Sequence, residues 1–135
     1  MHIEPKARMR VLYIDDDRIN ALLFAETCRM AGHVEIETAG SGAEALELAA
    51  SWRPQLLVID LHLPDTTGCE LLPALRQCLQ QPRLPAVLCT ADDAADVQSR
   101  AQAAGFDACW PKPVDLQQVL SGLARYSQVF KSTSE

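Results

Sequence analysis

Carboxylates follow two short apolar runs of the sequence, and a hydroxyl and an ammonium group follow two others. Asp15 and Asp16 come after the first run and Asp60 after the second, while Thr90 ends a third and Lys112 comes shortly after a fourth. Three carboxylates held close together repel one another unless a cation lies among them or some stay protonated. Hard oxygen ligands favour Mg²⁺. The residue types therefore predict a magnesium site, provided that the fold brings these positions together.

The same residues suit an incoming phosphoryl group. A carboxylate such as Asp60 is a nucleophile able to attack phosphorus in line. The Lys112 ammonium would neutralise charge on the phosphoryl oxygens, and the Thr90 hydroxyl would donate a hydrogen bond to one of them. We therefore expect Asp60, Lys112 and Thr90 to be the catalytic residues of a phosphoryl transfer.

Each of these residues also has an ordinary structural interpretation. Acids at positions 15–17 favour the positive end of a helix dipole and would cap a following helix. A single Asp after a strand is commonly a turn residue, and a Lys-Pro pair such as the one at 112–113 is commonly a surface turn. What favours chemistry is the joint placement of these groups at the ends of four different predicted strands.

The elements that must position these residues alternate between strands and helices. Apolar runs predict five strands at residues 11–14, 34–38, 56–59, 86–89 and about 107–110. Helical spacing predicts five helices at about 19–30, 42–51, 68–79, 92–104 and 115–126. Pro73 lies awkwardly inside the third helix and predicts a late start or a kink there.

The first helix has the clearest amphipathic pattern. Ile19, Leu22, Leu23, Glu26 and Met30 recur at helical spacing, and the four apolar residues among them predict its apolar side. Gly32 stands where a left-handed residue would close the helix.

Near-continuous apolar strands that alternate with helices predict an α/β fold with an open parallel sheet covered on both faces. Right-handed crossovers favour the flavodoxin-like, doubly wound arrangement of five strands in the order 2-1-3-4-5, with five helices. We expect one domain at residues 9–126, with tails at 1–8 and 127–135. In such a sheet ligands bind beyond the carboxyl ends of the strands, where the candidate residues stand.

Composition narrows the choice of partners and location. The chain has 12 Lys and Arg against 18 Asp and Glu, a net charge of −6, and no basic run. This balance would repel a phosphate backbone, so we expect no direct binding to nucleic acid. The longest apolar stretches are far shorter than the ~20 residues of a membrane span, and residues 1–10 lack an apolar signal core. We expect a cytoplasmic protein that does not insert into membranes.

With these residues in place, the sequence resembles the receiver domain of two-component response regulators over nearly all of residues 10–126. The resemblance rests on a combination of segments that is highly specific: VLYIDDD (11–17), AGHVEIETAGSGAEAL (31–46), RPQLLVIDLHLPDTTG (53–68), VLCTAD (87–92) and GFDACWPKPVDL (105–116). The last segment looks most similar to receivers attached to hybrid sensor kinases.

The resemblance implies a role for each acid. Asp60 would be the phosphoacceptor, Asp16 and Asp60 would ligate Mg²⁺ together with the carbonyl of His62, and Asp15 would act largely through water. His62 and Asp92 would stand where side chains tune the hydrolysis of the acyl phosphate.

The resemblance also implies that Thr90 and Lys112 contact the phosphoryl group and that the bond from Lys112 to Pro113 is cis. One position departs from the family pattern. Receivers usually have Tyr or Phe three residues before the lysine, where this chain has Cys109. Its neighbour Trp110 points to the opposite face of the strand, so we expect it to pack in the core.

The implied partners are a sensor histidine kinase or a histidine phosphotransfer protein, and a downstream effector protein or domain. The chain would be a stand-alone regulator, a phosphate relay or a receiver of a larger protein. A different class, a receiver-like interaction module that is not phosphorylated, is favoured only by Cys109. A haloacid-dehalogenase-like phosphatase fits poorly, because it needs an acid where this chain has His62. Flavin binding fits poorly, because three acids follow the first strand.

Overall fold

Strands and helices alternate along the chain, as the sequence pattern predicts. The computed structural model describes residues 8–92 and 95–133. Its elements are β1 (Met9–Ile14), α1 (Arg18–Ala31), β2 (Val34–Ala39), α2 (Gly42–Trp52), β3 (Leu56–Asp60), α3 (Gly68–Leu79), β4 (Ala86–Thr90), α4 (Val97–Ala104), β5 (Ala108–Pro111) and α5 (Leu116–Thr133). Within the described ranges, no helix combines the length and the apolar character needed to span a membrane.

All neighbouring strands pair in parallel, in the order β2-β1-β3-β4-β5. This confirms the predicted flavodoxin-like arrangement of five strands and five helices. The strand order reverses between β1 and β3, so the loops after these strands leave towards opposite faces of the sheet. The crevice between them lies at the carboxyl edge, where the two acid-bearing strands end.

The sheet separates two apolar layers. Successive strand residues point to opposite faces, so Val11 and Tyr13 of β1 pack with α1 and α5, while Leu12 and Ile14 pack with α2, α3 and α4. Trp110 is 4% exposed in the layer of α1 and α5, which confirms its predicted place in the core.

Helix α1 exists where predicted, but its predicted apolar side faces outward. Ile19, Leu22, Leu23 and Met30 are 70%, 66%, 62% and 69% exposed, whereas the buried residues of the helix are Phe24, Ala25 and Cys28. The helix therefore has two apolar sides, and the one with the aromatic ring packs on the sheet. Gly32 closes the helix with φ 77°, as predicted.

The boundaries of two further helices, and the expected effect of Pro73 on a third, differ from the prediction. Helix α5 continues to Thr133, so the expected tail is wrong for residues 127–133; Ser127 is buried, which shows that the packed side of the helix extends past Tyr126. Helix α4 begins only at Val97. Helix α3 begins at Gly68 and contains Pro73, so the late start is wrong. The predicted tail at residues 1–8 falls almost wholly outside the described residues.

Gly68 allows α3 to approach the end of β3. A Cβ atom at this position would lie 2.6 Å from the backbone oxygen of Asp60, closer than atoms of a relaxed structure come. The amide of Gly68 donates a hydrogen bond to the carbonyl of Leu61, 2.8 Å away. The start of α3 and the end of β3 are thus held in direct backbone contact.

Replacing Gly68 with Ala is expected to lower the free energy of unfolding by roughly 2 kcal/mol, because the new methyl group must displace backbone and not a flexible side chain. Urea unfolding measures the change. Gly40→Ala is the matched control, since its Cβ atom would meet only the Glu44 side chain at 3.6 Å. Equal stabilities of the two variants would contradict the proposed close packing.

Candidate functional site

The structure brings the acids of two strand ends together. Oxygen atoms of Asp15, Asp16 and Asp60 lie within 4.8 Å of one another. Asp15 follows β1 directly, and its amide donates to the carbonyl of Ala39 on the next strand at 3.0 Å. Asp60 is the last residue of β3. The parallel register therefore places both acids at the same edge, and the predicted convergence of the three acids is confirmed.

Lys112 reaches into this acidic cluster from the loop after β5. Its Nζ atom lies 2.6 Å from Oδ2 of Asp15 and 3.2 Å from Oδ2 of Asp60. The side chain is only 13% exposed, so both ion pairs are largely shielded from water. The peptide bond from Lys112 to Pro113 is cis, as the resemblance implied. One ammonium group thus bridges the two buried carboxylates.

Asp15 has hydrogen bonds that sequence reasoning missed. The hydroxyl of Tyr13 donates to Oδ2 of Asp15 at 2.8 Å, and the side-chain amide of Asn20 donates to the same atom at 3.5 Å. The backbone amide of Asp17 donates to Oδ1 at 3.0 Å. A signal for Tyr13 was available, since residues two apart on a strand share a face and a hydroxyl is unusual in an otherwise aliphatic strand.

The acid at position 17 has a structural role. The carboxylate of Asp17 accepts hydrogen bonds from the amides of Ile19 and Asn20 at 2.9 and 3.1 Å, and so caps α1. The helix-capping interpretation of the acidic run is therefore correct for Asp17. The two preceding acids belong to the cluster instead.

The pKa values of Asp15 and Asp60 are shifted in opposite directions. Burial would raise the pKa of Asp15, but hydrogen bonds from Lys112, Asp17 and Tyr13 outweigh it and hold the pKa below its ordinary value. Burial raises the pKa of Asp60, and the Asp15 charge adds to this, against the opposing effect of Lys112. Burial also disfavours the ammonium of Lys112, yet its contacts with both acids raise its pKa overall. The shorter lysine contact thus goes with the more acidic carboxyl.

Thr90 and His62 flank the cluster. Thr90 is buried at the end of β4, its carbonyl accepts from the amide of Lys112 at 2.9 Å, and both side chains line a cavity of about 440 Å³. The Thr90 hydroxyl accepts a hydrogen bond from the amide of Asp92 at 3.0 Å. The backbone amide of His62 donates to the Asp60 carboxylate, while its side chain is exposed. The predicted metal contact of the His62 carbonyl stays a prediction.

The loop between β3 and α3 is anchored to the start of α2. Both carboxylate oxygens of Asp65 accept hydrogen bonds, from the amides of Gly42 and Ala43 at 2.8 and 2.9 Å. These amides belong to the first turn of α2, where an anion is favoured. The loop that carries His62 is therefore fixed at its far end.

The donor set fits Mg²⁺. Magnesium prefers one or two carboxylates and keeps several waters, and the cluster offers three carboxylates whose oxygens are close enough to share an ion. Burial raises the pKa of Asp60, and three carboxylates share one ammonium group in this pocket. A divalent cation held by Asp15, Asp16 and Asp60 would supply the missing positive charge.

A five-stranded doubly wound sheet that carries three acids and a lysine at one edge defines the class of receiver domains. The sequence profile of the response regulator receiver domain matches residues 11–124. The chain belongs to this family, and its role is that of a receiver in two-component signalling.

Individual relatives agree with this assignment. The chain is 36% identical over 110 residues to the probable transcriptional regulatory protein TcrX of Mycobacterium tuberculosis, which covers 82% of this chain and 46% of TcrX. It is 28% identical to the polar-differentiation response regulator DivK of Brucella anthropi, covering 86% of this chain and 94% of DivK. The structure of the chemotaxis protein CheY4 of Vibrio cholerae superposes with a TM-score of 0.82 at 29% identity, covering 89% and 99% of the two chains. The chain thus spans less than half the length of TcrX.

The stabilisation of the fold by Mg²⁺ is expected to shrink as the pH falls from about 7.5 to about 5. Because the pKa of Asp60 is raised, protons compete with the metal at a higher pH than at an exposed Asp. Without metal, Asp60 contributes a pH dependence of the opposite sign. The stability that its raised pKa contributes is present at low pH and is lost as the pH rises through that pKa. Melting temperatures with and without Mg²⁺ at several pH values test both effects. The exposed acid substitution Glu26→Gln should leave them unchanged, and an increment independent of pH would remove Asp60 from the metal site.

Proposed function

We propose that Asp60 accepts a phosphoryl group, in a Mg²⁺-dependent reaction, from a phosphohistidine of a sensor histidine kinase or a histidine phosphotransfer protein. The bridging contact of Lys112 with Asp15 and Asp60, beside Asp16, is the observation that carries this proposal. It puts a nucleophilic carboxylate, a cation for the phosphoryl oxygens and a set of hard ligands at one point.

The transfer follows from these groups. A carboxylate oxygen of Asp60 attacks phosphorus, the bond from phosphorus to the imidazole nitrogen of the donor breaks, and its electron pair returns to that nitrogen. Lys112 turns from Asp60 to a phosphoryl oxygen, and the Thr90 hydroxyl donates to another. When bound, Mg²⁺ neutralises negative charge on the carboxylates and on the transferred group. The chain thereby promotes its own phosphorylation, and water slowly hydrolyses the resulting acyl phosphate.

The chain acts in the cytoplasm, in a two-component pathway or a phosphorelay, and its phosphorylated form is recognised by a downstream effector protein or domain. The chain does not bind nucleic acid directly, because its net charge of −6 repels a phosphate backbone.

The alternative, an interaction module that is not phosphorylated, is supported by Cys109 alone. This residue is half-buried against the apolar layer of α2, α3 and α4, and it replaces the aromatic residue expected there. Nothing in the transfer step requires an aromatic ring at this position. The intact cluster of Asp15, Asp16, Asp60 and Lys112 favours phosphorylation.

Incubation with acetyl phosphate and Mg²⁺ is expected to add one phosphoryl group to the wild-type chain and none to Asp60→Asn. The amide lacks the nucleophilic charge, and chelation of the metal should also abolish labelling of the wild type. Intact mass measures both. The neighbouring substitution Asp17→Asn is the control, because Asn also caps a helix well and position 17 lies outside the cluster. Equal labelling of Asp60→Asn would place the acceptor elsewhere, and an unlabelled wild type would favour the interaction module.

The outward side of α1 offers a surface for the phosphohistidine donor. The exposed residues Ile19, Leu22, Leu23 and Met30, here called the α1 face, form an apolar patch on a helix that starts beside the acidic cluster. Part of the face lines a groove of about 410 Å³ that also includes Lys112. A protein that brings a phosphohistidine to Asp60 must contact the surface next to the acidic cluster. Exposed apolar patches mark interaction sites. We propose that the phosphohistidine donor docks on the α1 face.

The substitution Leu22→Asp is expected to slow transfer from a phosphorylated histidine phosphotransfer protein by roughly tenfold or more while leaving labelling by acetyl phosphate unchanged. Leu22 is 66% exposed, so the fold should tolerate the change. Gln102→Asp, an exposed position on α4 across the sheet, adds the same charge away from the α1 face. Rapid-quench rates with both donors give the comparison. A loss with acetyl phosphate as well, or no loss with the protein donor, would contradict the assignment.

A further inference from the structure

Tyr13 is the one hydroxyl-bearing residue of β1, and its polar atom is committed to the site. The side chain is fully buried, and its hydroxyl donates to Oδ2 of Asp15 at 2.8 Å. The same oxygen accepts from Nζ of Lys112 at 2.6 Å. The carboxylate of Asp15 has no exposed side-chain surface. Its inner oxygen therefore depends on these protein donors and not on bulk water.

The tyrosine ring is fixed by the apolar layer behind the site. It stacks on the ring of Phe24 with a centroid separation of 4.3 Å and an interplanar angle of 7°. The ring of Phe24 in turn lies 6.5 Å from that of Trp110. All three residues are buried in the layer of α1 and α5. The position of the hydroxyl is thus set by core packing, independently of what binds at the acidic cluster.

The two close donors to Oδ2 of Asp15, Tyr13 and Lys112, have different fates in the proposed reaction, while the side-chain amide of Asn20 is more distant at 3.5 Å. Lys112 must turn towards a phosphoryl oxygen, and this movement takes a charged donor away from Oδ2 of Asp15. A buried carboxylate oxygen left without a partner is costly. The Tyr13 hydroxyl stays in place, because its ring is packed, and it keeps this oxygen hydrogen-bonded throughout.

We propose that Tyr13 is a positioning residue of the phosphoacceptor site, whose buried hydroxyl fixes the Asp15 carboxylate for Mg²⁺ and leaves Lys112 free to move to the phosphoryl group. The inference rests on the proposed function, since it assumes that the cluster binds Mg²⁺. Groups that orient metal-ligating carboxylates commonly change affinity or activity by 10–100-fold when they are removed.

Tyr13→Phe is the informative variant, because it removes the hydroxyl and retains the ring stacked on Phe24. We expect Mg²⁺ to bind about tenfold more weakly, and labelling by acetyl phosphate to slow. The melting temperature without metal should fall only modestly, because Lys112 still pairs with Asp15. Mg²⁺ affinity is measured by titration of the backbone amide resonances of Asp16 and His62, which does not depend on phosphorylation.

Tyr126→Phe is the matched control. It removes the only other tyrosine hydroxyl of the chain, from a half-buried residue packed against the same apolar layer. Its Mg²⁺ affinity should equal that of the wild type. If the wild type binds Mg²⁺ and Tyr13→Phe binds it equally well, the positioning role is wrong and the proposed function stands. A lower melting temperature with unchanged affinity would likewise reduce Tyr13 to a structural residue. A wild type that binds no Mg²⁺ would overturn the proposed function and this inference with it.

Discussion

One ammonium group shared between two buried carboxylates is the interaction on which the site depends. Lys112 lies closer to Asp15 than to Asp60, and Asp16 adds a further negative charge beside them. Three carboxylates thus share one ammonium group, and burial, with a smaller contribution from the Asp15 charge, raises the pKa of Asp60 despite the contact with Lys112. A site in this condition favours a divalent cation, and only with that cation does it become favourable for an anionic phosphoryl group. The proposed nucleophile, Asp60, is the carboxylate that lies farther from the lysine ammonium.

The fold keeps these charges in place despite their repulsion. Parallel pairing of β1 with β3 fixes the separation of the two strand ends, and the close approach at Gly68 fixes α3 against the backbone of Asp60. Asp65 secures the intervening loop on the first turn of α2. Each restraint acts on backbone, where little freedom remains to relax the cluster. These backbone restraints therefore hold the charged side chains near one another despite their repulsion.

The strand order and the acidic edge were predictable because they follow from local rules. An apolar run that stops at an acid predicts a strand end, and parallel strands must align those ends, so Asp15, Asp60 and Lys112 could be placed near one another from the sequence. Tyr13 was missed because its place two residues before Asp15 indicates only a shared face, whereas the hydrogen bond itself depends on how the tyrosine ring packs. The orientation of α1 was missed for a related reason. The helix has two apolar sides, and only the packing of Phe24 decides which of them faces the sheet.

Helix α1 connects the two proposed roles of the molecule. Its inward side contributes Phe24, which fixes Tyr13 and through it the carboxylate of Asp15. Its outward side is the α1 face, which has no cover within the described residues although it is strongly apolar. Its first turn is held by Asp17, two residues beyond Asp15. A donor that docks on the outward side would therefore contact the same rigid element that orients the acid on the inward side. Recognition of the partner and the geometry of the acidic cluster then both depend on α1, whose N-terminal cap, Asp17, follows the acidic cluster directly in the sequence.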